Sequence, residues 1–560
     1  MKYIYKGSPV ELEPGTVYAD FAEKVAADYP APVILAKVGQ RLIELNKTVP
    51  EESVFLKEEP QEISFITTAD RDGKKTYERG ATMMFLRAAA RVLGKRISYL
   101  KLEYALGDGL FFTLRLAPGN GEIDDASLEE IKSVMRRYAE KKEPFEKFKI
   151  RTDEAKAIFA RHGMTDKERL FHYRRTSTTN IYKFGNYFDY YYGYMPPDAS
   201  YVKVFDLKKL PGGVQLELPH RSSPGVLRGV PVPLKLFATM KDTELWGENI
   251  GISTVADLND AITEGRGRDI ILASEAYQEH RIGEIARRIK EENRRIVMIA
   301  GPSSSGKTSF SHRLAVQLGN VGIKARPIAL DNYYVAREKT PLDENGEYDF
   351  ECLEALDVEL FNRNMTDLLA GKAVTLPVFD FKAGAPGFAD ASTSISEGEV
   401  LVIEGIHGLN DRMSYAIDPK DKFKIYISAV TSLNVDEHNR IPTTDNREIR
   451  RMVRDARTRG FSAKETIARW QAVRHGEKKH IFPFQEDADI MFNSASIYEL
   501  AVLKTFAEPL LFAIPPDAPE YSEARRLLKF LEYFLGLSCE DVPRNSLIRE
   551  FIGGSVFPVG

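Results

Sequence analysis

Cysteine is nearly missing from this chain of 560 residues; there are two, Cys352 and Cys539. They are too few and too far apart for a disulfide framework or a cysteine metal site, so a reducing compartment is expected. Also missing is any run of about 18 uninterrupted apolar residues, the length a membrane-spanning helix requires. The first residues, Met1 to Gly7, lack the apolar core of a signal peptide. A net charge of −4 gives no global pull toward nucleic acid, although net charge is silent about a local basic face. No internal repeat and no low-complexity segment is present. These absences leave a soluble, cytoplasmic protein with no membrane partner as the expectation. At roughly 100–200 residues per domain, three or four domains are expected.

What is present changes character along the chain. Residues 1–61 read as a small β-rich domain, with strands at Lys2–Tyr5, Val33–Val38 and Val54–Leu56 and helical spacing from Tyr18 to Tyr29. Residues 62–225 read as an α+β unit. It opens on a strand, Glu62–Thr67, and a turn, Arg71-Asp72-Gly73. A helix over Thr82–Leu93, strands at Tyr99–Tyr104 and Leu110–Leu116, and a charged helix over Ser127–Lys141 follow. Its tract Tyr187–Pro197 is dense in aromatics and suits an apolar core better than a base-stacking surface, so nucleic acid is not the predicted partner. His172 and His220 have no partners at metal spacing and read as structural. Residues 226–292 read as a connecting region that begins in a Pro/Gly/Ser-rich stretch and ends in an amphipathic helix, Ala273–Glu291. Glu284–Arg295 reads as a solvated charged face. From 293 to 496, strands and helices alternate, the pattern of a parallel α/β sheet with helices on both faces. Strands are expected at Arg295–Ala300, Lys324–Leu330, Val400–Ile403 and Lys422–Ser428. Residues 497–560 read as a helical tail.

The densest chemistry lies where the first of these strands ends. Gly301-Pro302-Ser303-Ser304-Ser305-Gly306-Lys307-Thr308 has the spacing of a phosphate-binding loop, followed by Ser309 and a helix to Leu318. Glycines and small residues let successive N–H groups cradle phosphates, and the helix start adds its positive end. Lys307 would reach the outer phosphates, and the Thr308 hydroxyl would hold Mg²⁺. ATP and Mg²⁺ are therefore the expected cofactors. The next strand ends in Leu330-Asp331-Asn332-Tyr333-Tyr334. An acid at that strand tip can take the proton of an attacking hydroxyl. Glu404, at the end of Val400–Ile403, suits a metal-shell carboxylate. Arg447, Arg450, Arg454 and Arg457 fall on one face of a helix that also carries Arg451, with Arg459 at its end. Beside a phosphate loop these read as a lid whose guanidiniums offset charge on a transferring group, with Arg474 and Lys478-Lys479-His480 as weaker candidates.

These motifs, in this order, resemble the uridine kinase and phosphoribulokinase family of P-loop kinases. The resemblance covers residues 295–495 and also rests on Tyr348-Asp349-Phe350, Pro377-Val378-Phe379-Asp380-Phe381 and Val402-Ile403-Glu404-Gly405. It implies Asp331 as base for a nucleoside 5′-hydroxyl, Asp349 as ribose-hydroxyl acceptor, and Phe379 and Phe381 flanking the base. Tyr333, Arg450, Arg457 and Arg474 join them on the substrate side, with Lys307, Arg454 and Arg459 as the catalytic cations. The small-molecule partner implied is nucleoside-like, and since related kinases often assemble as oligomers, a homo-oligomer stays open. Uridine kinases usually carry a His a few residues after the Asp-Phe pair. Here Asp380-Phe381 runs into Lys382-Ala383-Gly384-Ala385 instead, so another small alcohol or a sugar phosphate stays open as acceptor. Residues 1–60 resemble a TGS domain, a β-grasp fold. Residues 62–225 resemble the second additional domain of threonyl- and alanyl-type tRNA synthetases. There the family's metal-type ligands are replaced by Arg79, Met83, Tyr191 and Met195, which implies that no editing activity survives. Those two resemblances also keep open an RNA- or ribosome-linked nucleotide-binding regulator.

Overall fold

The computed structural model describes residues 1–51, 60–342, 346–380, 383–431 and 433–559. The chain forms two units. The first comprises Met1–Val232 and two short returns of the chain, Thr254–Asn259 and Leu433–Ile441. The second comprises Pro233–Ser253, Asp260–Ser432 and Pro442–Gly560.

The first unit opens with β1 (Lys2–Tyr5), β2 (Ser8–Glu11), α1 (Tyr18–Lys24), β3 (Val33–Val38), β4 (Arg41–Glu44) and β5 (Gln61–Thr67), which make a mixed sheet in the order β2-β1-β5-β3-β4. The expected boundary before Glu62 is thereby corrected. β5 is the central strand, parallel to β1 and antiparallel to β3, because its alternating Ile63, Phe65 and Thr67 face the same core as Tyr3 and Ala36. The strand expected at Val54–Leu56 lies outside the described residues. The turn expected at Arg71–Gly73 is instead the start of α2 (Arg71–Leu93). The reason is local: Thr67 donates its N–H and hydroxyl to Asp70 Oδ2 at 2.7 and 2.8 Å, which closes the strand and sets Asp70 ahead of the helix. Helix α2 packs on α3 (Asp125–Glu140) and on the sheet of β6 (Ile97–Leu106), β7 (Gly109–Leu116), β11 (Asp206–Leu210) and β12 (Gly213–Glu217). Between α3 and β11 come β8 (Glu146–Arg151), α4 (Thr152–Arg161), α5 (Thr165–His172), β9 (Thr178–Phe184) and β10 (Tyr187–Asp189), with β8, β9 and β10 in a three-stranded sheet.

Met83, Tyr191 and Met195 are all within 3% of full burial in the core of this unit. Arg79 points its guanidinium at the Tyr194 carbonyl, 3.2 Å away. Of the aromatic tract, Tyr190 and Tyr191 are buried and Tyr187 and Tyr194 pack half-buried against the core, while Phe188 and Tyr192 are also half-buried. The return at Leu433–Ile441 brings Asp436 and His438 to the buried Lys167, whose Nζ lies 3.2 Å from Asp436, 3.3 Å from Asp189, 3.7 Å from Asp166 and 3.0 Å from His438 Nδ1.

The second unit is built on α6 (Leu234–Asn249), α7 (Val255–Thr263, shared with the first), α8 (Gly267–Glu291), β13 (Ile296–Ala300), α9 (Lys307–Asn320), β14 (Ala325–Ala329), α10 (Val358–Leu369), β15 (Pro377–Asp380), β16 (Ala385–Phe388), β17 (Val400–Glu404) and β18 (Lys422–Ser428). It continues after the hairpin β19 (Asn434–Asp436) and β20 (Asn439–Arg440) with α11 (Thr443–Thr458), α12 (Ala463–His480), β21 (Ile490–Asn493), α13 (Glu499–Phe512), α14 (Tyr521–Leu531) and α15 (Arg549–Ile552). Its sheet is parallel in the order β14-β17-β13-β18-β21, with β13 buried at every residue, as an uninterrupted apolar strand covered on both faces must be. Two expected boundaries give way here. Helix α8 contributes Ile282, Ile285 and Ile289 to the core beneath β13 and α9, and the tail contributes Leu547 to the same core. Most of the connecting region, and the tail, are thus parts of the α/β unit.

Lys167 and His438 are the basic side chains among the described residues of the cluster that holds Asp166, Asp189 and Asp436. Replacing Lys167 by methionine leaves three carboxylates buried together. Lys167→Met is expected to destabilise the first unit by about 3–5 kcal/mol in urea unfolding, a far larger loss than an exposed pair would give.

Candidate active site

The phosphate loop joins β13 to α9 at the carboxyl end of the sheet. Gly301 cannot carry a side chain, because a Cβ there would sit 2.0 Å from the Ile427 carbonyl oxygen of neighbouring β18. Gly306 caps α9 with φ +83°, a left-handed conformation that suits glycine, and Ser304 is held at φ +60°. The Ser304 and Ser305 hydroxyls are buried and have no hydrogen-bond partner among the described residues. Lys307 Nζ donates to the Gly301 carbonyl at 3.1 Å, and the Thr308 hydroxyl donates to Glu404 Oε1 at 3.1 Å. Orphaned buried hydroxyls, a folded-back lysine and a hydroxyl–carboxylate pair fit a triphosphate with its divalent cation. Gly301 and Ser303–Thr308 would hold the phosphates, with Thr308 and Glu404 toward the metal. Ser309 gives its N–H and hydroxyl to Glu550 of the tail.

Asp331 sits on a single 3-10 turn, Leu330–Tyr333, that follows β14. β14 pairs with β17 so that Ala329 lies opposite Glu404. The register therefore puts Asp331 and Glu404 at adjacent strand tips, with Lys307 between loop and acids. Asp331 opens to solvent, yet the protein around it desolvates the carboxyl enough to raise it, while Lys307 and Arg459 pull it down. Burial, and then the charge of Asp331, raise Glu404 to about 7.

The structure sorts the acceptor-side residues differently from their spacing. Tyr333 is 1% exposed, T-shaped against Phe361, with its hydroxyl accepting from Asn364; it is core. Tyr334 is the tyrosine that faces the site, with ring centroids 5.6 Å from Phe379 and 6.5 Å from Phe350. Phe379 is tied to the Asp331 turn by its N–H, which donates to Asn332 Oδ1 at 3.4 Å. Phe381 lies outside the described residues. Asp349 accepts from the Glu351 N–H at 3.1 Å and lies 3.8 Å from His480 Nε2. Glu351, which the motif reading passed over, is the acid drawn into the site's charge network. Burial and then Glu477 raise it to about 7, against the pull of Arg451 and Lys307.

The arginine helix α11 presents a different face from the one expected. Arg447 Nε donates to the Ser303 carbonyl at 2.8 Å, and Arg451 Nη1 donates to the Ser303 hydroxyl at 2.6 Å. Arg454 pairs with Asp455 at 2.7 Å, and Arg459 lies 3.7 Å from the same carboxylate. Burial lowers both Arg451 and Arg459, whose neighbours include further guanidiniums. Several cations thus share the Asp455 carboxylate, an arrangement ready for a further anion. Arg450 and Arg457 are corrected to structural positions. Arg450 is fully buried, bonded to Glu499 at 2.5 Å and to the Ser494 and Ser304 carbonyls. Arg457 donates to the carbonyls of Glu550 and Phe551. The helix turns 100° per residue, which puts Arg450 on the same side as Arg447, Arg451 and Arg454, so it is its partners and its burial, not its spacing, that set Arg450 apart. Arg474 donates to Glu477 at 3.1 Å. Glu477, fully buried, accepts from the Ser303 N–H at 3.0 Å and also pairs with Arg447. Nothing in the sequence marks Glu477, since it becomes part of the loop only when α12 folds against it.

Residues 296–501 match the phosphoribulokinase/uridine kinase family model. The C-terminal part of the chain therefore carries a kinase domain of this family, a phosphotransferase type. Relatives include the uridine kinases of Staphylococcus aureus strains JH9 and Newman, each 28% identical over 208 residues, covering 37% of this chain and 91% of the relative. Among solved structures, a possible uridine kinase from Bacillus stearothermophilus is 20% identical with a TM-score of 0.24, covering 36% of this chain and 89% of its own. A D-glycerate 3-kinase from Cryptococcus neoformans is 12% identical with a TM-score of 0.18, covering 42% and 78%. Structural likeness of that extent decides neither fold nor substrate.

A carboxyl raised by folding favours its protonated form, so its ionisation costs stability as pH climbs from the unfolded value toward the folded one. For Glu351 that window runs from 4.5 to about 7. Glu351→Gln mimics the protonated acid. Its melting temperature relative to the native protein is expected to rise through that window and level off above it, for a gain of roughly 1–2 kcal/mol after allowance for partial exposure. Thermal melts at pH 4.5, 6 and 8 check this.

Proposed function

We propose that this protein transfers a phosphoryl group from ATP to the 5′-hydroxyl of a uridine- or cytidine-like nucleoside, giving the nucleoside monophosphate and ADP. The observation that carries this reading is Asp331, set at a strand tip beside Lys307 and Glu404 with the aromatic wall of Tyr334 and Phe379 next to it. When bound, ATP with Mg²⁺ supplies the phosphoryl group and the cation that screens its charge. Lys307, Thr308 and Glu404 would hold phosphates and metal. Asp331 would accept the hydroxyl proton of the acceptor as its oxygen attacks. Tyr334 and Phe379 offer flat faces for a base, and Asp349 and Glu351 offer carboxylates for ribose hydroxyls. Arg451, Arg454 and Arg459 would offset charge on the group in transfer. The uridine kinases among the relatives support the nucleoside as acceptor.

The segment after Asp380 supports a second acceptor class. With no histidine there, the base-reading side chain of uridine kinases is missing, and a site without it loses selectivity for the base. Another small alcohol or a sugar phosphate is the alternative substrate.

Asp331→Asn is expected to lower kcat by about 10²–10⁴-fold while MgATP binding stays near the native value. Release of ADP over a panel of nucleosides and sugar phosphates, with a parallel binding measurement, checks both the base and the acceptor. Full transfer by the variant would remove Asp331 from the mechanism.

A further inference from the structure

The tail beyond Ile497 reaches the phosphate site. Its last helix, α15, brings Glu550 to the first turn of α9. Glu550 Oε2 accepts from the Ser309 N–H at 3.2 Å and from the Ser309 hydroxyl at 2.9 Å. Ser309 directly follows Thr308, whose hydroxyl donates to Glu404 at 3.1 Å. The carboxylate thus satisfies an amide that a helix start leaves without an intrahelical partner, one residue from the proposed metal-facing hydroxyl. Glu550 is a fixed part of this unit. It is 6% exposed. Its own carbonyl accepts from Arg457 Nη2 at 2.8 Å, and that of Phe551 from Arg457 Nε at 3.1 Å. Phe551 lies beneath the Arg450 guanidinium at 4.9 Å. Just upstream, the Ser546 hydroxyl donates to Glu275 at 2.6 Å, and Leu547 is buried in the core under β13.

We propose that Glu550 is a positioning residue of the phosphate site. By holding both donors of Ser309 it fixes the first turn of α9, and with it the Thr308 hydroxyl aimed at Glu404. The tail then completes the nucleotide site. This rests on the kinase reading given above. A rigid carboxylate with two hydrogen bonds differs from a displaceable plug: the core contacts of Leu547 and Phe551 would have to break before Glu550 could leave. Arg457 has its explanation here too, as the clamp that seats the tail, and the face it occupies on α11 follows from that duty.

The test uses the full chain, with calorimetric binding of MgATP and separate KM values for ATP and acceptor. Glu550→Ala is expected to weaken MgATP binding and raise its KM about tenfold, with the acceptor KM unchanged, since hydrogen bonds to a charged group are lost. Glu550→Gln keeps an oxygen for both Ser309 donors and is expected to return binding to within about threefold of native. Ser309→Ala, which removes one donor, is expected to fall between them. MgATP bound by Glu550→Ala as tightly as by the native chain, or more tightly, overturns the proposal; tighter binding would make Glu550 a competitor for the phosphate donors. Parallel losses for ATP and acceptor that Glu550→Gln does not rescue also overturn it, as a general loss of structure. If Glu550→Ala does not fold, unchanged binding by Ser309→Ala overturns the proposal and weaker binding supports it. A native chain that binds no MgATP sinks the kinase reading together with this one, whereas native binding with an indifferent Glu550 sinks this inference alone.

Discussion

A loop that offers N–H groups to an anion must also dispose of the carbonyls pointing the other way, and here guanidiniums take them. The Ser303 carbonyl is held by Arg447 and the Ser304 carbonyl by Arg450, while Lys307 holds that of Gly301. Because each peptide unit is planar and trans, a carbonyl fixed on one side turns the following N–H to the other. The loop's shape therefore depends on α11 lying against it. Each arginine is in turn held by a carboxylate, Arg447 by Glu477 and Arg450 by Glu499. The acids belong to α12 and α13, so three helices converge on one turn of backbone.

On the open side of the loop the charges are less settled. Burial raises Asp331, Glu351 and Glu404, and neighbouring acids raise the last two further, Glu477 for Glu351 and Asp331 for Glu404. Arg451 and Arg459 are lowered by burial. Carboxyls raised by burial and arginines crowded at one carboxylate are unfavourable arrangements for a folded protein to keep on grounds of stability alone. A cation beside the acids and a polyanion beside the arginines, as the proposed function would supply, would relieve both. In the first unit, by contrast, the buried carboxylates Asp166, Asp189 and Asp436 gather around Lys167, with His438 on Asp189.

The first unit shows how far a family pattern carries and where packing takes over. Met83, Tyr191 and Met195 are sealed in the core, and Arg79 bonds the Tyr194 carbonyl. The returns of the chain at Thr254–Asn259 and Leu433–Ile441 were not legible, because a hairpin of nine residues has no periodicity that says which core it will join. The same holds for β5, whose alternation identifies a strand but not its sheet.

By itself the sequence determined the elements whose code is local. The apolar run of β13, the glycines and lysine of the phosphate loop, and the acids that end β14 and β17 each follow from short-range pattern, and all three sit where the α/β order places them. Tertiary structure alone decided which of several similar residues does the work. Tyr334 faces the site and Tyr333 the core, and Arg451 bonds the Ser303 hydroxyl while the buried Arg450 braces the loop's backbone and Arg457 seats the tail. Glu477 and Glu550 arrive from helices far along the chain. The physical reason is that a side chain's role depends on which neighbour desolvates it or bonds it, and those neighbours can be remote in sequence, as Glu550 lies 241 residues from Ser309. No window of sequence contains both partners.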